Sequence, residues 1–192
     1  ELPDGLEVIG PSAFSLCRSF TEIVLPDSVR TLDAYAFGSC NRLWTITLPD
    51  GLETVGDYAF TKCSLLSEVN MPDSVTHIGE GAFSHCFSLS GIELSQGLIS
   101  VGKEAFYNCA ILKEIILPDS VQIIGENAFD QCGQLKKVFI PAGLTDLGYY
   151  AFHGCSYGMR IYFAGSAEEW QAVLVEPGKL SSDISVRYNY KP

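Results

Sequence analysis

Hydrophobic positions recur along the chain with a fixed spacing of 23 residues. Phenylalanine and cysteine mark this period most clearly, because an alanine precedes each phenylalanine and a cysteine follows it three residues later. The phenylalanines of this series are residues 14, 37, 60, 83, 106, 129 and 152, and the cysteines are residues 17, 40, 63, 86, 109, 132 and 155. A fixed period of this length indicates a solenoid, in which each repeat buries its hydrophobic residues against its neighbours.

The parts of the repeat predict different local structures. The unit reads L-P-D-S-V-x-x-I-G-x-x-A-F-x-x-C-x-x-L-x-x-I-x. Residues 22–25 and their equivalents alternate like a half-buried strand, and the proline that follows ends the strand and opens a Pro-Asp turn. A second short extended or turn segment ends at Gly56 and its equivalents. Phe60 and Cys63 then fit one face of a helical turn directed toward the core.

The period ends after Phe163, and the remaining residues predict a cap. The segment from Ser166 to Glu169 has the pattern of a capping box at the start of a helix. The apolar face of that helix would comprise Trp170, Val173 and Leu174. Pro177-Gly178 predicts a turn, and the final strand would alternate through Ile184, Val186, Tyr188 and Tyr190. We therefore predict seven repeats in residues 1–162, the first of them truncated, and a capping segment in residues 163–192.

The chain begins within a strand, since aligned repeats place Glu1 opposite Val24. A solenoid needs a polar cap over its first layer, so we expect the chain to be a piece of a longer protein. The absence of a signal peptide is then uninformative about location.

The motif I-G-x-x-A-F-x-x-C-x-x-L-x-x-I-x-L-P recurs through all seven units and resembles the leucine-rich repeats of the BspA type. Departures from it are few, among them Asp33 in place of glycine, Ser95 in place of proline and Gly158 in place of leucine. The resemblance implies a right-handed, curved solenoid with a parallel β-sheet on its concave face, turns and short helical segments elsewhere, and a helix-plus-strand cap at the C-terminus. It also implies a secreted or cell-surface location in host-associated bacteria or some protozoa, with surface attachment or ligand binding as the function.

Composition narrows the function classes. With 47% hydrophobic and 11% aromatic residues among 192, the chain is not intrinsically disordered. No apolar run approaches the roughly 20 residues that span a bilayer. The 23 acidic residues outnumber the 12 basic ones and give a net charge of −11, which opposes nucleic-acid binding.

The cysteines predict core packing. Neighbouring parallel strands lie ~4.8 Å apart, and this spacing keeps equivalent Cβ atoms further apart than the ~3.8 Å that a disulfide prefers. Residues at equivalent positions of successive repeats stack in a column. We interpret the cysteine column as reduced thiols that pack as small hydrophobic groups. Because the cysteines are collinear, and because His77, His85 and His153 occupy different columns, we predict no metal site and no cofactor.

Two series of acidic residues raise alternatives to pure binding. A turn column contains Asp4, Asp27, Asp50 and Asp73, which could attract Ca²⁺, although turn formation accounts for aspartate there. Glu22, Glu68 and Glu114 lie on alternate strands at a spacing that glycoside hydrolysis could use. The columns provide no cleft around them, and nucleophile elbows, phosphate loops and the H-E-x-x-H motif are absent, so we predict no enzymatic activity.

The outward face of the sheet is the candidate binding surface, and its character changes along the array. Residues 1–100 contain 13 acidic and 4 basic residues, a net charge of −9, whereas residues 101–162 contain 6 and 5, a net charge of −1. We define the C-terminal patch as the aromatic, aliphatic and basic side chains on the last three repeat strands. Its members are Lys113, Ile116, Lys136, Lys137, Phe139, Arg160 and Tyr162. The alternative is that these are ordinary solvent-facing strand residues, since aromatic side chains favour strands.

These observations predict a non-enzymatic binding or adhesion module that presents its concave face to a protein or glycan. We expect a monomer that neither binds nucleic acid nor inserts into a membrane. The alternative is a structural spacer within a larger surface protein, which would have no ligand of its own.

Overall fold

The computed structural model describes residues 2–174 and 179–190. In chain order the elements are β1 (Val8–Ile9), β2 (Glu22–Val24), β3 (Thr31–Leu32), β4 (Thr45–Thr47), β5 (Thr54–Val55), β6 (Glu68–Asn70), β7 (His77–Ile78), β8 (Gly91–Glu93), β9 (Ser100–Val101), β10 (Glu114–Ile116), β11 (Ile123–Ile124), β12 (Lys137–Ile140), β13 (Asp146–Leu147), β14 (Arg160–Phe163), α1 (Ala167–Val173) and β15 (Ser185–Arg187). Each full repeat contributes one longer and one two-residue strand, as the two apolar segments of the unit predict.

Equivalent strands stack in register and confirm the predicted solenoid. The odd-numbered strands β1 to β13 form one seven-stranded parallel sheet. The longer strands form two four-stranded sheets, β2-β4-β6-β8 and β10-β12-β14-β15. Residues 23 positions apart lie opposite each other, as Ile115, Val138 and Ile161 do. Among the described residues no ladder joins β8 to β10, so the longer strands divide into an N-terminal and a C-terminal sheet.

The segment between phenylalanine and cysteine is built from tight turns in place of a regular helix. The Cys63 N–H donates to the Phe60 carbonyl at 3.1 Å, and both side chains face the core as predicted. Tyr58 and Lys62, at the positions before Ala59 and Cys63, have φ angles of 56° and 58°. Both positions are left-handed in all seven repeats, although glycine occupies them only twice. The geometry therefore comes from stacking between repeats and not from glycine.

The phenylalanines form a continuous column of stacked rings from Phe14 to Phe152. Neighbouring ring centres lie 5.2–5.6 Å apart, and the rings are nearly parallel, with interplanar angles of 4–16°. The five middle rings are fully buried. Each ring therefore packs against the repeats on both sides, which couples every layer to its neighbours.

The cysteines are free thiols with a hydrogen-bonding role. Each thiol from Cys40 to Cys155 donates to the phenylalanine carbonyl of the preceding repeat at 3.0–3.2 Å. This bond is unavailable to alanine, and it gives the carbonyl a second donor besides the cysteine N–H of its own repeat. Burial raises the pKa of Cys86 and of Cys132 to about 12, which holds these thiols in the neutral form.

A thiol titration at pH 8 tests this arrangement. Five cysteines are buried, and only Cys17 and Cys155 are half-buried. Because the thiolate is the reactive species, we expect Ellman's reagent to label at most these two in the native protein and all seven in guanidinium. Rapid labelling of four or more native thiols would contradict the buried column.

The C-terminal segment closes the last repeat. Ser166 caps α1 through a reciprocal capping box with Glu169, as predicted, with bonds of 3.2 and 2.7 Å. Trp170 is buried against Phe163, their ring centres 4.9 Å apart. The predicted turn at 177–178 lies outside the described residues.

Candidate functional site

The C-terminal sheet brings the predicted patch residues together on one outward face. Strand register places Lys137 beside Arg160 in one column. A second column contains Ile116, Phe139 and Tyr162. The intervening residues point inward and are buried, which leaves both columns on the opposite side of the sheet. Lys113 and Lys136 are exposed and precede β10 and β12, so they lie at one margin of this surface.

The apolar column presents an exposed aliphatic side chain beside packed rings. Ile116 is 60% exposed and lies opposite Phe139 in the ladder. Phe139 and Tyr162 are half-buried because their rings stack on each other, 4.8 Å between centres with an interplanar angle of 15°. Each ring therefore covers one face of the other.

Two further residues of this surface were not predicted from the sequence. Tyr190 packs against both rings, 5.1 Å from Phe139 and 5.2 Å from Tyr162 between centres. Arg187 lies opposite Tyr162 in the ladder, with its guanidinium carbon 5.8 Å from the ring centre. The sequence predicts a final strand but contains no signal for the edge it joins. The structure places β15 parallel to β14, where it widens the face by one strand.

The cations of the surface are largely without acidic partners. Lys137 forms a salt bridge with Glu114 at 3.1 Å between Nζ and Oε2. Within the described part of the chain, Lys113, Lys136 and Arg160 form no salt bridge. With Arg187, the strands β10, β12, β14 and β15 and the residues immediately before them carry five cations and one carboxylate, an excess of four positive charges (5 − 1). Glu93 of β8 borders this surface beside Lys113 and Ile116. This local excess stands against a net charge of −11 for the whole chain.

The N-terminal half of the longer strands presents a different surface. Its outward positions include the exposed carboxylates of Glu22, Glu68 and Glu93. Val24 and Trp44 are also exposed, at 71% and 51%. Apolar exposure therefore occurs in both halves, but only the C-terminal half combines it with excess positive charge.

The other candidate chemistries do not converge. His77 and His85 each bond to the adjacent hydroxyl, of Thr76 and Ser84, at 2.8 Å, whereas His153 pairs with Asp130 at 3.0 Å. In residues 2–174 and 179–190, no three His, Cys, Asp or Glu side chains cluster to hold a metal ion. Of the turn aspartates, Asp73 has a structural role, since its Oδ1 accepts the N–H of Gln96 in the next repeat at 3.0 Å.

Comparison with known proteins identifies the family and the fold. The BspA type leucine rich repeat region matches in six copies, over residues 1–109 and 76–174. A leucine rich cell surface protein from Faecalibacterium prausnitzii is 27% identical with a TM-score of 0.67, over 92% of this chain and 62% of that one. A leucine-rich repeat protein from Bacteroides ovatus is 26% identical with a TM-score of 0.61, over 96% of this chain and 56% of that one. The T. pallidum leucine rich repeat protein is 29% identical with a TM-score of 0.55, over 94% and 66%.

The chain thus spans between 56% and 66% of the length of these three structures. Curated proteins gave no match. Across the described residues, no helix has the length and apolar character to cross a membrane. With the family match covering most of the chain and the repeat architecture observed, the chain belongs to the BspA-type leucine-rich repeat family.

Proposed function

We propose that this chain is a non-enzymatic binding or adhesion module of a secreted or cell-surface bacterial protein, and that it presents the C-terminal patch to a protein or glycan. One observation supports this most strongly. An exposed aliphatic side chain and a ring cluster adjoin cations of which, among the described residues, only Lys137 forms a salt bridge, on a chain that is otherwise acidic. Exposed apolar patches rimmed by polar groups are typical of interaction surfaces.

Pre-organisation provides the mechanism. The strands are fixed by ladder hydrogen bonds, and the rings of Phe139, Tyr162 and Tyr190 already pack together. A partner that docks there orders few side chains, so less of the contact energy is lost to entropy. Aromatic and arginine side chains also dominate binding energy in most interfaces, which favours Tyr162 and Arg160 as anchors.

The cell-surface assignment rests on similarity. The related Faecalibacterium prausnitzii protein is described as a leucine rich cell surface protein, and we propose the same location for this chain. The fold is compatible with a passive role because it is a stack of equivalent layers, and the described residues gather no cluster of His, Cys, Asp or Glu that could hold a metal ion.

An array of extracellular-matrix proteins and glycans tests the proposal. The wild type is compared with a variant that carries alanine at Lys137, Phe139, Arg160 and Tyr162. We expect the wild type to bind at least one component and the variant to lose about tenfold or more in affinity, since hot-spot truncations cost about 2 kcal/mol or more. Circular dichroism and thermal unfolding check that the variant folds, because Phe139 and Tyr162 are half-buried.

A matched control occupies the same two columns in the N-terminal half, namely alanine at Glu22, Val24, Thr45 and Thr47. This control should retain binding within about twofold. Unchanged binding by the patch variant would rule out the proposed surface. Absence of any ligand would favour the structural spacer, which predicts no partner for this segment.

A further inference from the structure

We infer that the C-terminal patch binds an acidic protein segment whose apolar side chains pack along the Ile116–Tyr162 column. The inference rests on the proposed function and specifies its partner. It joins three independent features of the surface, namely its charge, the orientation of its rings and its length.

Charge selects the sign of the partner. Five of the 12 basic residues of the chain lie on or beside the four strands β10, β12, β14 and β15, and within residues 2–174 and 179–190 only Lys137 of these five forms a salt bridge. The five are Lys113, Lys136, Lys137, Arg160 and Arg187. An excess of positive charge on an acidic protein attracts an anionic partner and orients it toward this face.

The ring geometry selects protein over glycan. Sugars pack on aromatic side chains through the open face of a ring. Here Phe139 and Tyr162 cover each other, and Arg187 lies over Tyr162. Tyr190 meets Phe139 at 48° and Tyr162 at 61°, so it closes the cluster from a third side. The half-buried ring cluster and the exposed Ile116 beside it are suited to aliphatic and aromatic side chains of a polypeptide.

The length of the surface fits a short extended segment. The column from Ile116 to Arg187 crosses three strand-to-strand steps. At ~4.8 Å a step this spans roughly 14 Å, which an extended chain covers in about five residues at ~3.3 Å each. Apolar side chains on one side of such a segment would follow the column, and carboxylates at its margins would meet the cations.

The test uses synthetic peptides with the intact chain. The probe alternates glutamate and leucine over eight residues, one control peptide replaces glutamate with lysine, and a second replaces leucine with serine. A sulfated glycan serves as the anionic carbohydrate arm. We expect the Glu-Leu peptide to bind about tenfold more tightly than either control peptide and more tightly than the glycan. Its affinity should fall several-fold between ~50 and ~300 mM salt because the charges are exposed.

Matched charge variants locate the binding. Lys113→Gln, Lys136→Gln and Arg160→Gln combined should weaken peptide binding about tenfold, since each removes an attraction of about 0.5 kcal/mol. The control combines Arg18→Gln, Lys62→Gln and Lys103→Gln, which remove the same charge elsewhere. Glutamine is compatible with the left-handed turn at Lys62, because Gln131 occupies the equivalent position with a φ of 60°. This control should change affinity less than twofold.

Several results would overturn the inference and are separable from failure of the proposed function. They are no binding of the Glu-Leu peptide, equal binding of the serine control, equal weakening by both charge variants, or patch-dependent binding of the sulfated glycan alone. Self-association of the wild type without peptide binding would point to the acidic half of a second copy as the occupant and would overturn it too. The proposed function itself fails if array ligands bind independently of the patch, or if the array yields no ligand at all.

Discussion

Phe83→Ala is expected to lower the free energy of unfolding by about 3–5 kcal/mol, the usual cost of truncating a buried phenylalanine. Phe83 is fully buried at the centre of the ring column, 5.2 Å from Phe60 and 5.4 Å from Phe106. Truncation therefore leaves a cavity and removes two stacking contacts between layers. For a chain of this size the melting temperature should fall by about 6–20 °C, measured by circular dichroism or calorimetry.

Phe87→Ala is the matched control for this substitution. Phe87 lies four residues further along, is 43% exposed, and has one ring contact, with His85 at 5.8 Å. Its truncation should cost less than about 1 kcal/mol, because little buried area is lost. Equal destabilisation by the two variants would contradict the stacked column as the main source of stability.

Gly125→Ala is expected to destabilise the protein by about 3 kcal/mol through overpacking. A Cβ atom there would lie 2.5 Å from the Lys103 nitrogen and 2.7 Å from the Gly102 carbonyl carbon, both backbone atoms of the preceding repeat. Gly56, Gly79, Gly102 and Gly148 approach the preceding repeat in the same way. Since backbone atoms cannot rotate aside, the layers must move apart. In the second repeat Asp33 stands at the position of these glycines, so the expected destabilisation by alanine applies to the third and later repeats.

Gly133→Ala provides the comparison for the glycine effect. A Cβ atom at Gly133 meets nothing within 4 Å and its φ is not left-handed. Alanine should therefore leave stability unchanged or raise it by about 0.5 kcal/mol, because it reduces the freedom of the unfolded chain. Urea unfolding of both variants measures the difference. Stabilisation by Gly125→Ala would contradict the close layer spacing.

Much of the fold could be predicted because the same requirement, that each repeat pack its apolar side chains against the neighbouring repeats, recurs seven times. A column of identical residues such as Phe37, Phe60 and Phe83 leaves a single arrangement in which every copy is buried equally. The capping box at Ser166 could also be predicted, because it depends only on side chains that bond to backbone groups three residues away in the sequence.

The left-handed turns could not be predicted, since their conformation depends on neighbouring repeats. Tyr58, Glu104 and Asn127 share this backbone conformation but no side-chain property. Their N–H groups donate to the next repeat, as Tyr58 does to Glu80 at 2.6 Å. Pairing between layers therefore fixes φ at these positions. The sequence of a single repeat therefore does not indicate the left-handed conformation.

The candidate surface was only partly predictable. Strand alternation correctly places Ile116 and Arg160 on the outward side, because the period of two depends on the strand alone. Half-burial of Phe139 and the arrival of Tyr190 depend on where the last strand docks. The last strand comes after α1 in the chain, and no local sequence pattern determines which sheet edge it joins.

Methyl NMR of isoleucine-labelled protein tests the central claim most directly, with a ligand retained on the array added in steps. Ile116 is 60% exposed within the patch, and Ile123 is 41% exposed on β11 of the seven-stranded sheet. The two residues therefore report on different faces of one molecule. The proposed binding face predicts that the Ile116 resonance shifts or broadens as ligand is added while the Ile123 resonance stays in place. A shift of Ile123 with Ile116 unchanged would contradict it.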